Sequence, residues 1–200
     1  MSSNIKTASR GRPKTLNRDL VIDKALTAYW HEGVERLSLN EVCRRCDISK
    51  PAMYREFGNE DGLMTAVLGS YQQQILTPLL NTLTAEIPFR EALDNLITTI
   101  TTVNGQQAPM GCLLVKMRES RLHLGEEVQA QIECTYQYVL NTYAEWVEKG
   151  IAQGQLGTEM PTQFLAVYIE AQLSHALSQL VRGEDSETVK KMLQLALSML

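Results

Sequence analysis

The sequence is poor in the residues that build most catalytic, metal and disulfide sites. Its 200 residues include four cysteines and three histidines. Four cysteines are too few for a disulfide framework, and the histidines show no mutual spacing that indicates a metal or catalytic pair. The sequence also has no Gly-rich phosphate loop and no H-E-x-x-H motif. We therefore expect no enzyme, no cofactor and no metal site; an enzyme would need Cys112 as a nucleophile with His123 or His175 as its base.

Long apolar runs are absent as well. A membrane-spanning helix needs about 18 or more consecutive apolar residues, and the sequence contains no such run. Its first segment, MSSNIKTASRGRPK, is polar and basic and lacks the apolar centre of a secretory signal. We therefore expect a cytoplasmic protein that has no membrane partner.

Charge is unevenly distributed along a chain whose net charge is −4. Residues 1–58 hold 11 Lys+Arg against 7 Asp+Glu, whereas residues 59–200 hold 8 against 16. The acidic total therefore hides a basic N-terminal part, which favours an interaction with nucleic acid at that end of the chain.

The segment from residue 39 to residue 63 has the outline of a helix-turn-helix. Ser38 is placed to cap a short first helix, and Asp47 falls where the turn needs a left-handed backbone, which Asp tolerates better than most residues. Ser49 caps a second helix, which Gly58 ends. This arrangement presents its second helix to a DNA groove.

Helical periodicity continues over most of the remaining sequence, and no segment predicts a strand. Asn17 is predicted to cap a helix that ends near Gly33, Pro78 to kink or end a later helix, and Gly150 to help close a long one. We therefore predict an all-α fold with an N-terminal three-helix helix-turn-helix DNA-binding domain and a C-terminal helical ligand-binding and dimerisation domain. The predicted divisions are a disordered basic arm over 1–15, the DNA-binding domain over 16–62, and the C-terminal domain over 63–200.

The last two predicted helices, over 161–182 and 186–200, are apolar on more than one face. Helices with so little polar surface need a partner, and a second copy of the chain is the simplest one. Two helices from each subunit would form a four-helix bundle with two-fold symmetry. The predicted interface residues are Leu165, Ile169, Leu173, Leu177, Leu180, Val189, Leu193, Ala196 and Leu200.

The first third of the chain, from Ile22 to Leu63, resembles the DNA-binding domain of TetR-type (tetracycline-repressor-like) transcriptional regulators. Three departures from the family pattern stand out: Asp47 replaces the usual Gly, Ala52 a frequent Thr, and Glu60 a usual Lys. The positions that carry the resemblance are Ala25, Tyr29, Gly33, Val42, Ile48, Ser49, Tyr54, Phe57 and Leu63.

The resemblance implies a homodimeric regulator that binds a palindromic site on double-stranded DNA and represses until a small-molecule effector releases it. A thiol-based sensor of oxidants or electrophiles that uses Cys112 is one alternative, since the start of a helix can lower a thiol pKa. A helical ligand-binding protein that has lost DNA binding is another, and Glu60 is its only support.

The candidate DNA contacts divide into those that position the protein and those that read bases. Ser38, Arg44, Arg45 and the Tyr54 hydroxyl are predicted on phosphates, with core packing an equal alternative for Tyr54. Phe57 is predicted to pack in the core. Lys50 and Arg55 are predicted to read base edges, with close apolar contact from Pro51 and Ala52. The arm adds Arg10, Arg12 and Lys14, either in an A·T minor groove or as a solvated basic tail.

Candidate ligand contacts come from apolar and aromatic positions of the C-terminal helices, with a few polar side chains to orient the ligand. Ordinary helical core is the alternative for each of them. Cys43 and Cys46 lack the second pair of ligands that a structural zinc site needs, so we predict that they pack in the core. The predicted ligand-binding residues are Met110, Cys112, Met117, Tyr136, Tyr143, Trp146, Phe164, Tyr168, Gln172 and His175, and Glu170 is a further orienting candidate.

Overall fold

The computed structural model describes residues 16–84, 86–102, 111–157 and 159–200, and all regular structure within these ranges is helical. A π-helical segment over Gln72–Leu76 joins α4 to α5, and short 3-10 segments cover Thr82–Thr84 and Arg121–His123. No helix in the described ranges meets the length and apolarity that a membrane crossing requires. The helices are α1 Arg18–Glu32, α2 Leu39–Arg45, α3 Lys50–Phe57, α4 Glu60–Tyr71, α5 Thr77–Asn81, α6 Phe89–Thr101, α7 Leu113–Glu119, α8 Glu126–Ala152, α9 Thr162–Val181 and α10 Ser186–Ala196.

Side-chain caps begin the first four helices, as the sequence predicts. Asn17, Ser38, Ser49 and Asn59 each accept a hydrogen bond from the backbone N–H three residues later, at 3.2, 3.3, 3.4 and 2.7 Å respectively. Such caps satisfy N–H groups that have no partner within the helix. The boundaries of the helix-turn-helix are therefore set by local sequence.

The turn between α2 and α3 depends on Asp47. Its φ of 54° is the single positive value among the described non-glycine residues, so the left-handed turn predicted at this position is confirmed. Asp adopts this conformation at lower cost than most residues. A residue other than Gly therefore adopts the left-handed conformation that this turn requires.

Pro78 does not end the helix that contains it. The backbone stays helical through Asn81, because the π-helical segment lies directly before α5 and Pro78 occupies the first turn of α5. Proline lacks an N–H and crowds the carbonyl four residues earlier. The wider π turn relieves that crowding, and the backbone stays helical on both sides of it.

The C-terminal domain is built around α8, which packs against α4, α7 and α9, while α10 packs on α6 and α9. Gly150 lies inside α8 rather than at its end, contrary to the sequence prediction. A Cβ at Gly150 would lie 2.8 Å from the ring of Phe89, which stacks on Trp146 with ring centroids 4.2 Å apart. The glycine therefore allows close packing of α6 on α8.

The predicted dimer-interface residues fall mainly on the inward-facing side of α9 and α10. Most of the predicted residues are buried in the core of the single chain, because α9 and α10 turn that face toward α6 and α8. Leu177 and Ala196 are partly buried, and Leu177 lines an internal cavity. The buried members are Leu165, Ile169, Leu173, Leu180, Val189, Leu193 and Leu200.

A different apolar face of α9 and α10 is exposed. On α9, Phe164 is 55% exposed and Val167 and Val181 are each 45% exposed. On α10, Met192 and Leu195 are 49% and 76% exposed, and Met199 follows the helix at 68%. We term these six residues the apolar stripe. Successive members along each helix are separated by three residues, four residues or a multiple of seven. Helical spacing of this kind places them along one side of each helix.

Candidate nucleic-acid interface and internal cavity

Helix α3 presents a polar outer face on a buried base. Met53 and Phe57 are buried, so the core prediction for Phe57 is confirmed. Lys50 and Arg55 are exposed, and Tyr54 is 47% exposed. The Tyr54 hydroxyl is therefore available to a partner outside the chain. An exposed helix face with two cations and a phenol has the chemistry needed to contact a phosphate backbone and base edges.

The cations of this face differ from those of α2 in how far they are neutralised. Lys50 and Arg55 form no ion pair within the described part of the chain. Glu56, their acidic neighbour, instead pairs with Arg18 at 3.4 Å. The guanidinium of Arg18 also lies over the ring of Phe57, 5.2 Å from its centroid. The positive charge of α3 is therefore not cancelled by its own helix.

Arg45 links two helices rather than facing outward. It forms an ion pair with Glu32 at the end of α1 and another with Glu41, whose carboxylate lies 2.7 Å away. Arg44 also bonds to Glu41 at 2.7 Å, but its side chain is 72% exposed. Hydrogen bonds from Arg44 and Arg45 lower the pKa of Glu41 to about 2. Of the two arginines predicted on phosphate, Arg44 is the one available at the surface.

Glu60 is the first residue of α4 and is half-buried. Burial raises the pKa of its carboxyl, and the positive charge of Lys50 opposes that rise. It lines a cleft with Tyr54 and with His123 from the C-terminal domain. Negative charge therefore lies close to the outer face of α3, as the departure from the family pattern predicts.

The Cys43 and Cys46 thiols pack in the core of the helix-turn-helix, which confirms the sequence prediction. Each side chain is 5% exposed, and the Cys46 thiol donates to the carbonyl oxygen of Val21 at 3.5 Å. Burial raises the pKa of Cys46 to about 11. Within the described ranges, no group of three or more His, Cys, Asp or Glu side chains could hold a metal ion.

An internal cavity of about 640 Å³ is lined by residues of α4 to α9 and by Trp30 near the end of α1. Its wall is largely apolar and aromatic, which is typical of small-molecule sites. Trp30 and Tyr71 meet edge to face, with ring centroids 5.0 Å apart. Tyr143 and Cys112 also line the cavity, and Glu170 contributes a carboxylate from α9.

Of the predicted ligand residues, the structure places Cys112 and Tyr143 in this cavity. Met117 is fully buried in the core, and Trp146 stacks on Phe89. Phe164 is on the surface, where it belongs to the apolar stripe. Helical periodicity identifies apolar positions, but it does not show which gap between helices stays open.

Tyr136, Tyr168, Gln172 and His175 are also outside the cavity lining. The guanidinium of Arg118 lies 3.3 Å from the ring centroid of Tyr136, and the Tyr168 hydroxyl donates to the carbonyl oxygen of Ala196 at 2.8 Å. His175 is exposed and bonds to Gln179 at 2.6 Å, and Gln172 is half-buried. Met110 and the arm residues Arg10, Arg12 and Lys14 fall outside the described residues.

Trp30 and Tyr71 line the cavity but were not predicted as ligand-binding residues from the sequence. Both belong to the N-terminal half of the chain. Trp30 joins the cavity to the end of α1, since its indole N–H donates to the carbonyl oxygen of Gly111 at 2.9 Å. Lys116 donates to the carbonyl oxygen of Trp30. The adjacent aromatic residues Tyr29 and Trp30 were an available signal in the sequence. Tyr29 alone fills the aromatic position in the core of the helix-turn-helix, which leaves Trp30 for a contact elsewhere.

Cys112 is half-buried at the start of α7, and the Tyr71 hydroxyl donates to its sulfur at 3.5 Å. Burial raises the pKa of this thiol and outweighs the hydrogen bonds from Tyr71 and from backbone N–H groups of α7, which lower it. The expected lowering by the helix start is therefore overcome. Cys134 is exposed on α8.

The two halves of the chain are also joined through Asp61 in the first turn of α4. Its carboxylate accepts hydrogen bonds from the backbone N–H groups of Glu127 and Val128, both at 2.9 Å, at the start of α8. Gly125 occupies the capping position of α8 and supplies no side chain. A residue in α4 therefore caps a helix of the C-terminal domain.

Comparison with known proteins agrees with this arrangement. Residues 21–67 match the family model described as "Bacterial regulatory proteins, tetR family". The chain is 22% identical to the HTH-type transcriptional repressor ComR of Escherichia coli (strain K12) over 196 residues, which cover 94% of this chain and 89% of ComR. It is 24% identical to the HTH-type transcriptional repressor BdcR of the same organism, with coverage of 90% and 93%.

Solved structures share the fold over nearly the whole chain. The reduced form of E. coli NemR is 17% identical and has a TM-score of 0.78, covering 91% of this chain and 96% of NemR. A cysteine mutant of the TetR-family regulator CifR, complexed with 26-base-pair operator DNA, is 23% identical and has a TM-score of 0.79, with coverage of 94% and 98%. Residues 21–67, which hold the capped helix-turn-helix, therefore match the tetR family of bacterial regulatory proteins, and the chain as a whole shares the fold of these solved structures.

Proposed function

We propose that this protein is a homodimeric repressor that binds a palindromic DNA site and is released by a small-molecule effector. The observation that carries the DNA-binding part is the outer face of α3, where Lys50 and Arg55 are exposed and free of ion pairs within the described chain. The proposed divisions are an arm over 1–15, a DNA-binding domain over 16–62 and an effector-binding and dimerisation domain over 63–200. In this assignment the protein is a regulator and has no catalytic role.

In the proposed complex, α3 enters the major groove. Lys50 and Arg55 read base edges, with Pro51 and Ala52 in apolar contact, while Tyr54 bonds to a phosphate. Ser38 and Arg44 support the phosphate backbone at the start and end of α2. Arg45 holds α1 and α2 together through Glu32 and Glu41, so its contribution to DNA binding is to the shape of the domain.

The test of DNA binding is a fluorescence anisotropy titration against DNA from directly upstream of the protein's own gene, at two salt concentrations. We expect sequence-selective binding that weakens steeply as salt rises. The protein's Lys and Arg side chains displace counterions from the DNA phosphates on binding, and added salt opposes that displacement. Binding equal to that for random DNA would contradict operator recognition at that site. Absence of salt-dependent binding would favour the alternative that Glu60 marks a lost DNA-binding function.

Arg55→Ala is expected to weaken operator binding by about 1–3 kcal/mol and to relax selectivity for the bases beneath it. The side chain is exposed, so folding should be unaffected. Arg90→Ala is the matched control, because Arg90 is an exposed arginine on α6. The same anisotropy titration measures both variants. Equal affinity of the two variants would exclude Arg55 from the base-reading surface.

The apolar stripe supports dimerisation through α9 and α10. Six exposed apolar side chains on two adjacent helices form a larger apolar surface than isolated surface residues require. Pairing with the same helices of a second copy would form a two-fold, four-helix interface. Two DNA-binding domains would then meet half-sites about one helical turn of DNA apart.

Release by an effector is supported by how the cavity contacts the DNA-binding domain. Trp30 on α1 and Tyr71 on α4 both line the cavity. A ligand that binds better when these side chains have moved would shift the population toward a different arrangement of α1 and α4. The two α3 helices would then no longer match successive major grooves, and the DNA affinity would fall.

A thiol sensor is the second candidate, and the specific observation in its favour is that Cys112 lines the cavity beside Tyr71. The raised pKa of Cys112 opposes it, since the thiolate is the reactive form. Cys112→Ser separates the two candidates. Loss of release by a reversible ligand is not expected in this variant, whereas loss of release by peroxide or an electrophile would establish the thiol sensor.

A further inference from the structure

Glu170 is the single charged side chain among the residues that line the internal cavity. It is half-buried on α9, and its carboxylate accepts a hydrogen bond from the Ser174 hydroxyl at 2.7 Å. It forms no ion pair with any residue in the described ranges. The cavity therefore carries one negative charge that the surrounding chain does not neutralise.

The segment between Thr102 and Gly111, two residues of the lining, supplies no counter-charge in its sequence either. Residues 103–110, VNGQQAPM, contain no ionisable side chain. Lys116 on α7 donates to the carbonyl oxygen of Trp30 and is not part of the lining. A carboxylate in a largely apolar wall favours a positive partner, because the attraction between opposite charges is stronger where water is excluded.

The remaining lining suits the apolar part of such a partner. Trp30, Tyr71 and Tyr143 surround the cavity with aromatic rings, and leucine and isoleucine side chains complete it. Aromatic faces attract organic cations, and Trp is the strongest of them. Neutral apolar ligands would contact the same rings but would supply no counter-charge to the carboxylate of Glu170.

We propose that the effector is an amphiphilic organic cation, an amine or ammonium compound, whose positive group pairs with Glu170 and whose apolar body lies against Trp30, Tyr71 and Tyr143. This assignment rests on the proposed function, because it names the ligand class of the same cavity. It extends that function by making one side chain, Glu170, the determinant of charge selectivity.

Three probes of matched size test the charge preference: phenylbutylamine, which is positive at pH 7 because amines of this kind titrate near pH 10, neutral phenylbutanol, and negative phenylbutanoate. Calorimetric titration of the full-length protein should show the amine binding at least about tenfold more tightly than the alcohol, with the carboxylate weakest. Equal binding of amine and alcohol, or no binding of the amine, would overturn the assignment.

Glu170→Gln isolates the charge, because the amide keeps the size of the side chain and can still accept from Ser174. In this variant the amine should bind no better than the alcohol, while the affinity for the alcohol stays as in the unmodified protein. Ser174→Ala is the matched control, since it removes the hydroxyl and keeps the charge, and the preference for the amine should persist. A preference that survives Glu170→Gln would refute the role of Glu170.

Operator anisotropy, measured with and without phenylbutylamine, separates this inference from the function on which it rests. Loss of DNA binding on addition of the amine supports both. An amine that binds through Glu170 but leaves DNA affinity unchanged supports the ligand class and refutes effector release. Effector release by phenylbutylamine with the same potency in the unmodified protein and in Glu170→Gln supports release and refutes the cation assignment.

Discussion

Replacing Phe164 with Asp is expected to convert the protein from a dimer to a monomer and to weaken operator binding by at least a hundredfold. Phe164 is 55% exposed and begins the apolar stripe on α9. In a two-fold interface the substitution introduces two carboxylates, and burying an unpaired charge is very costly. A monomer binds each half-site separately and loses the gain in affinity that comes from linking two binding units. Size-exclusion chromatography with light scattering measures the mass, and anisotropy measures DNA affinity.

Leu122→Asp is the control for this experiment. Leu122 is 81% exposed but lies in the short 3-10 segment after α7 and belongs to neither α9 nor α10. This variant should remain a dimer and bind the operator normally. A dimeric Phe164→Asp protein, or a monomeric Leu122→Asp protein, would move the interface away from the apolar stripe.

The neighbouring residue distinguishes the exposed face from the buried one. Leu165 follows Phe164 directly but is 3% exposed inside the chain. Leu165→Ala should therefore lower the free energy of unfolding by about 2–5 kcal/mol, the usual range for a buried leucine. Association of the remaining folded protein should not change. This pair tests the helix face that the structure selects against the face that periodicity alone selected.

Asp61→Ala is expected to lower the free energy of unfolding by about 2 kcal/mol, at the upper end of the range for a helix cap. The carboxylate bonds to two N–H groups at the start of α8, and its removal leaves both without that partner. Because Asp61 belongs to α4, the variant should also weaken the effect of the effector on DNA binding. Urea unfolding followed by circular dichroism measures the first effect, and operator anisotropy with the effector measures the second.

Gly125 provides a double-mutant test of the same contact. A Cβ at Gly125 would lie 2.2 Å from the carboxyl group of Asp61, so Gly125→Ser should be destabilising by itself. In the Asp61→Ala background the same serine has room and can cap α8 locally, so it should restore stability. The two changes should therefore be strongly non-additive. Additive effects would show that the contact does not contribute to stability as proposed.

Asp185→Ala controls for the loss of any helix cap. Asp185 accepts from the backbone N–H and the hydroxyl of Thr188 at 2.8 Å, and both partners lie in its own helix, α10. This variant should be less stable but should keep the normal coupling between effector and operator. Equal loss of coupling in both variants would assign the effect of Asp61→Ala to general destabilisation.

Local sequence determined the parts of this protein in which each residue acts on its near neighbours. Caps at Asn17, Ser38 and Ser49 act within three residues, and the left-handed turn at Asp47 depends on that residue's own backbone. Burial of Phe57 follows from its position on a short helix. The limits of α1 to α3, and therefore the outer face of α3, could be predicted from the sequence for this reason.

Tertiary structure decided every feature that depends on which surfaces meet. Periodicity showed that α9 and α10 have more apolar surface than one core contact needs, but packing on α6 and α8 decided which face stays exposed. The same packing left the cavity open beside Trp30 and Glu170 and brought Asp61 to the start of α8. The Asp61 contacts, for example, join residues that are 66 and 67 positions apart, and local propensity carries no information about partners at that distance.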